Sequence, residues 1–161
     1  MRLDQLDLKI LRVLTADGRA TFKSIAEKVG SDEKTTARRV AKLVKSGVIR
    51  RFVAEVDWSK LGVTCVAHIG TRTSADASLR QSLFEAIEKQ QRIVQADATV
   101  GAEEYVLLAM DKDIESLREN VIEPLEPLTA GISSSIVSKT MKQGNYGQLL
   151  ELVKNQFVSR G

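Results

Sequence analysis

A chain of 161 residues, 43% of them hydrophobic and 28% charged, has a globular composition and length for one medium domain or two small ones. One cysteine and one histidine leave no material for a Cys/His metal cage or a Cys/His nucleophile pair, so neither metal nor cofactor is expected. No apolar run is long enough to cross a bilayer and the opening MRLDQLDLK is too acidic and broken for a signal peptide, so a cytoplasmic chain without membrane attachment is expected.

The net charge of +3 is unevenly held: residues 1–58 carry 13 Lys/Arg against 8 Asp/Glu, and the remainder 11 against 13. A basic N-terminal part joined to a mildly acidic one suits a DNA-binding module attached to a second function.

In chain order, Leu6, Ile10, Leu11 and Leu14 recur at helical spacing behind Asp4, predicting a capped helix over 4–15 that Asp17-Gly18 ends. Thr21 caps a second helix whose stripe is Phe22, Ile25, Ala26 and Val29, with Gly30 as the turn. Asp32 caps a third helix that runs to Ser46, and Gly47 stops it. A short helix, a glycine turn and a longer basic helix form a helix-turn-helix, which lays its second helix in the DNA major groove. Residues 48–56 then read as a strand, and 57–62 as a linker with a boundary near residue 60.

The remainder alternates elements. Strands are predicted over 63–72, 92–100, 104–111 and 132–141, and helices over 75–90 and 113–129. Cys65, inside the apolar run VTCVAHI, is expected to be a buried hydrophobe. This βαββαβ order is ferredoxin-like, an α+β arrangement with helices on one face of an antiparallel sheet. The other face is left uncovered, so dimerisation through it is expected. A last helix over 146–158 aligns Tyr146, Leu149, Leu150, Val153 and Phe157, and needs a docking partner because so short a helix is marginal alone.

On a helical wheel, Thr36, Ala37, Val40, Leu43 and Val44 share the packing side of the third helix. Lys34, Thr35, Arg38, Lys42 and Lys45 face outward, with Arg39 on the flank. Residues near the N-terminus of such a helix reach base edges and later basic ones meet phosphates. Lys34, Thr35 and Arg38 are therefore candidate base readers, and Arg39, Lys42 and Lys45 candidate phosphate contacts, with Arg50 and Arg51 as additions. A cationic stripe alone describes many solvated helices; stripe, caps, glycine turn and stop together are the signal for double-stranded DNA.

The whole pattern resembles the Lrp/AsnC (feast/famine) family. The resemblance covers residues 3–142 and rests on LDQLDLKIL, Arg19, SIAEKVG, TTARRVAKL, SGVIRRFVAEVD with Leu61-Gly62, GAEEY and ISSSIVSKTMK. It implies a winged helix-turn-helix DNA-binding domain over 1–60 and a βαββαβ effector and oligomerisation domain (the RAM domain) over 61–142; the C-terminal helical extension over 143–161 goes beyond the shortest family members. The resemblance also implies a transcriptional regulator that forms homodimers assembling into octamers and is modulated by a small molecule, commonly an amino acid. Effector contacts carry over to Gly101, Glu104, Ser133, Ser134 and Ser135. The chain departs from the family pattern at Ser31-Asp32, where a leucine and a serine are usual, at Ala102, and at Glu104, where an aspartate is usual. From the residues themselves, Gly101 amides can hold a carboxylate and Glu104 an ammonium, while a plain hairpin turn with solvated glutamates explains them equally.

Two other readings fit parts of the sequence. Siroheme decarboxylases resemble this layout, but His68 is the single histidine, in a β-type run, and the acid–base groups such chemistry needs are missing. An architectural DNA-binding protein without effector differs from a regulator in its specificity ratio, which sequence does not display.

Overall fold

A computed structural model of the chain describes residues 3–141, 144 and 146–150. They form two compact units: the residues up to Glu55 together with 144 and 146–150, and Val56–Met141.

The first unit holds three helices, α1 (Gln5–Ala16), α2 (Phe22–Val29) and α3 (Glu33–Lys45). Each starts on a side-chain cap, because the first amides of a helix lack intrahelical acceptors. Asp4 accepts from the Asp7 amide at 2.9 Å while Asp7 accepts from the Asp4 amide at 3.0 Å, a reciprocal capping box. Thr21 accepts from Ser24 at 3.1 Å and Asp32 from Thr35 at 2.7 Å. Gly30 (φ 71°) ends α2 in the left-handed region that makes the tight turn into α3. Leu8, Ile10, Leu11, Ile25, Val29, Val40 and Leu43 form the core, and Leu150 packs against it. Phe22 and Val44, expected inside, are 43% and 45% exposed. Each sits at the margin of its stripe, Phe22 at a helix end and Val44 one step around from buried Leu43.

The strand expected over 48–56 does not form: no ladder includes residues 50–57, and Phe52 and Val53 are 52% and 72% exposed. β-branched and aromatic residues favour extended backbone, but a strand also needs a partner edge, and none of the described residues supplies one. The helix expected over 146–158 begins as a 3-10 turn, Tyr146–Gln148, followed by Leu149 and Leu150; its remainder lies outside the described residues.

The second unit begins earlier than the expected boundary at residue 60. The turn Trp58–Leu61 belongs to it, tied by Val63 N to the Trp58 carbonyl (3.1 Å), while the next residue, Thr64, donates its hydroxyl to the Lys112 carbonyl (2.6 Å). Its strands are β1 (Cys65–Thr73), β2 (Ile93–Ala98), β3 (Tyr105–Asp111) and β4 (Thr129–Ile136), antiparallel in the order β2-β3-β1-β4. Alternation sends Cys65, Ala67 and Ile69 of β1 and Leu107 and Ala109 of β3 to one face. There they meet Leu83 of α4 (Ala77–Lys89) and Leu117, Val121 and Leu125 of the 114–128 segment. Val66, His68, Gly70 and Arg72, with Val106, Leu108 and Met110, take the opposite, helix-free face.

The 114–128 segment is not the single helix expected. It passes from α5 (Ile114–Leu117) through a π turn (Arg118–Ile122) to α6 (Glu123–Leu125) and a 3-10 turn (Glu126–Leu128). Pro124 and Pro127 account for this, since each lacks the amide that an α-helical ladder requires. Helix ends at Leu128 and β4 starts at Thr129, three residues ahead of expectation.

Candidate nucleic-acid interface

On α3, Thr36, Val40 and Leu43 are buried, and Lys34, Arg38, Lys42 and Lys45 are exposed. Those four cations recur at steps of four, four and three residues, so they form one line along the helix, about 16 Å from first to last at 1.5 Å per residue. Thr35 stands beside the line, half-buried. The Thr35 amide and hydroxyl hold the Asp32 carboxyl below the usual carboxylate range, which keeps the helix start capped at neutral pH. Arg50 and Arg51 are exposed on the extended segment beyond Gly47.

Arg39, expected as a phosphate contact, is paired within its own unit. Its Nη1 lies 2.5 Å from Asp4 Oδ2 and 3.2 and 3.4 Å from the two Asp7 carboxylate oxygens. Asp7 has no exposed side-chain surface and Arg39 retains only 24%. Burial pushes the Asp4 carboxyl up, but the Asp7 amide and the Arg39 guanidinium outweigh it and hold the carboxyl below its ordinary range. The hydrogen bond from Arg39 to Asp4 in turn raises the arginine's pKa. The guanidinium thus faces the start of α1. A wheel shows only that Arg39 lies on the flank; the sequence signal for its partners is Asp7, an acid among the apolar residues of α1.

The five candidate effector residues do not form one cluster. Gly101 stands at an open loop tip with nothing near its absent side chain. Glu104 turns to Thr73, accepting from its amide at 3.0 Å and from its hydroxyl, and these bonds hold its carboxyl below the usual range. Ser133 and Ser135 lie opposite Gly70 and His68 on the helix-free face, while Ser134, opposite Ile69, alternates to the other. Glu103, not among the expected contacts, lies over Gly70 and accepts from the Ser133 hydroxyl at 3.2 Å. Arg72 lies over Gly131 in the same manner, so both glycines make room for a flattened charged side chain. A glycine inside a strand, which commonly marks a close approach, was the available signal for both.

A helix-turn-helix with an outward cationic line, joined in one chain to a ferredoxin-like unit, defines a DNA-binding transcriptional regulator. Residues 3–50 match the winged helix-turn-helix DNA-binding family. The HTH-type transcriptional regulator Ptr1 of Methanocaldococcus jannaschii is 33% identical over 145 residues, covering 89% of this chain and 97% of that protein. The leucine-responsive regulatory protein of Rhizobium meliloti is 36% identical over 128 residues, 78% of this chain and 81% of its own length. Among solved structures, the transcriptional regulator NMB0573 of Neisseria meningitidis, in complex with L-Met, superimposes with a TM-score of 0.86 at 25% identity, covering 93% of this chain and 99% of that one. The chain belongs to the Lrp/AsnC family of transcriptional regulators.

Proposed function

We propose that this regulator reads a roughly palindromic operator through paired copies of α3, acting in the cytoplasm as a homodimer that assembles further and carrying out no catalysis. The observation that carries the DNA contacts is the exposed line Lys34, Arg38, Lys42 and Lys45 backed by a buried face. Lys34, Thr35 and Arg38 meet base edges; Lys42 and Lys45, with Arg50 and Arg51, meet phosphates. Residues 1–60 serve DNA binding, and 61–142 serve effector response and assembly. The helix-free sheet face and the exposed Phe52, Val53 and Val56 supply apolar surface for a second copy.

An amino acid is the effector class, supported by the L-Met complex of the Neisseria relative. It binds near Gly101, Glu104, Ser133 and Ser135, and a difference in its affinity for two assembly states is sufficient to couple it to DNA.

Affinity for DNA selected from a random-sequence pool, compared with unselected DNA across a salt series, tests the regulator function. A preference that persists near physiological salt is expected. Equal affinity for both, vanishing together as salt rises, would mean an architectural protein instead.

A further inference from the structure

We propose that Arg39 is a positioning residue for DNA reading: by clamping α3 to Asp4 and Asp7 at the start of α1, it fixes the aim of Lys34, Thr35 and Arg38 without touching DNA. This rests on the assignment of those three side chains as base readers.

The clamp joins segments 35 and 32 residues apart. The remaining contacts among the helices of this unit are chiefly apolar, through Leu8, Leu11, Val40 and Leu43. The hydrophobic driving force is non-directional and close packing sets helix orientation through shape alone, so a directional polar tie adds to what fixes the roll of α3. A guanidinium has fixed donor directions, and its acceptors here are themselves held by backbone amides of the capping box. Arg39 is therefore tied to the backbone of α1 through two short links. The tie also resists breaking, because Asp7 is wholly buried and would lose its guanidinium partner.

Arg39 adjoins Arg38 and lies one helical turn beyond Thr35. A helix with its side chains has a radius of about 5–6 Å, so a roll of about 20° moves a side-chain tip by about 2 Å. That exceeds the tolerance of a hydrogen bond to a base edge. Loss of the clamp should therefore degrade sequence reading more than overall attraction to DNA, which depends on charge.

The test uses the full chain, with selection from a random-sequence DNA pool followed by salt-dependent binding to selected and unselected DNA. The variants are Arg39→Gln, Arg39→Lys, Asp7→Asn and Asp4→Asn. Asp7→Asn is decisive because it leaves the arginine's charge in place: a positioning role predicts that it reproduces the Arg39→Gln defect. Expected is a fall of about tenfold in the selected-to-unselected affinity ratio for both, with the salt slope on unselected DNA unchanged and partial rescue in Arg39→Lys. If the changes at the buried pair prevent folding, as judged by circular dichroism, Asp4→Asn at the half-exposed partner carries the test, with a smaller fall in the same ratio expected. A salt slope reduced by about one in Arg39→Gln, with Asp7→Asn and Asp4→Asn like wild type, would make Arg39 a phosphate contact and overturn the proposal. An unchanged ratio in every folded variant would overturn it as well. Failure of the wild-type chain to enrich any sequence would instead remove the base-reader assignment beneath it, and the proposal with it.

Discussion

The side-chain amide of Gln90 donates to the main-chain carbonyl of Asn120 at 2.7 Å, the carbonyl that Pro124 leaves without a helical donor. Gln90 also closes α4, and its Oε1 accepts from the Arg92 amide at 3.2 Å. One side chain thus joins the end of α4, the start of β2 and a break in the 114–128 segment. Gln90→Ala leaves the Asn120 carbonyl without that donor in a partly buried site. It is expected to cost about 1–2 kcal/mol in urea unfolding, and Gln90→Glu, which offers no donor when ionised, is expected to cost at least as much.

The two kinds of DNA contact separate by their salt behaviour. Arg38→Ala is expected to cost about 1–3 kcal/mol on selected DNA and to relax preference at one position. Lys45→Ala should weaken selected and unselected DNA alike and lower the salt slope by about one. Fluorescence anisotropy on both DNAs at several salt concentrations measures each quantity; an Arg38 variant that loses equally on both would be a phosphate contact.

Acid should loosen both units through a small set of carboxylates. Burial pushes Asp111 up, but the Lys112 amide, the Asn120 amide and Arg92 at 2.6 Å together hold it below its ordinary range, and Asp4 is lowered likewise. A carboxyl depressed in the folded state contributes stability that is complete above its unfolded value of about 3.9 and is lost as pH falls through the folded value. Stability from this source should be level from about pH 7 to pH 5 and decline below about pH 4. Urea midpoints from pH 7 to pH 3 check this, and Asp111→Asn should lower the neutral plateau and flatten the acid limb.

Much of the first unit was legible because its signals are local. Asp4, Thr21 and Asp32 cap the helices that their apolar spacing predicts, and Gly30 makes the expected turn. The βαββαβ order followed from alternating periods and resolved into the expected ferredoxin-like sheet. What stayed hidden depends on residues distant in sequence. The partners of Arg39 lie more than thirty positions away, and the run from Val48 to Val56 has strand chemistry but joins no edge among the described residues. In the 114–128 segment the warning was present in Pro124 and Pro127, and helical periodicity overrode it.

Gly70 is a site where size alone should matter. A Cβ there would stand 2.7 and 2.8 Å from Glu103 Cγ and Cδ, and 2.8 Å from Ser133 Oγ. Gly70→Ala is expected to destabilise by about 1–3 kcal/mol through overpacking. Combining it with Glu103→Ala should recover about 1 kcal/mol or more, a coupling that a double-mutant cycle in denaturant reads directly. Additive effects would show that Glu103 moves aside freely.

The length of the cationic line on α3 limits how much information one subunit can extract. Even the full line of about 16 Å spans no more than about five base pairs, and five positions distinguish at most about a thousand sequences. A genome presents about 10⁶–10⁹ competing positions, so an address of that length recurs about a thousand times or more. Two copies reading together square the number of addresses to about a million, which reaches the lower end of that range. The short reach of Lys34 to Lys45 is thus a reason to expect the proposed homodimer to read two half-sites at once.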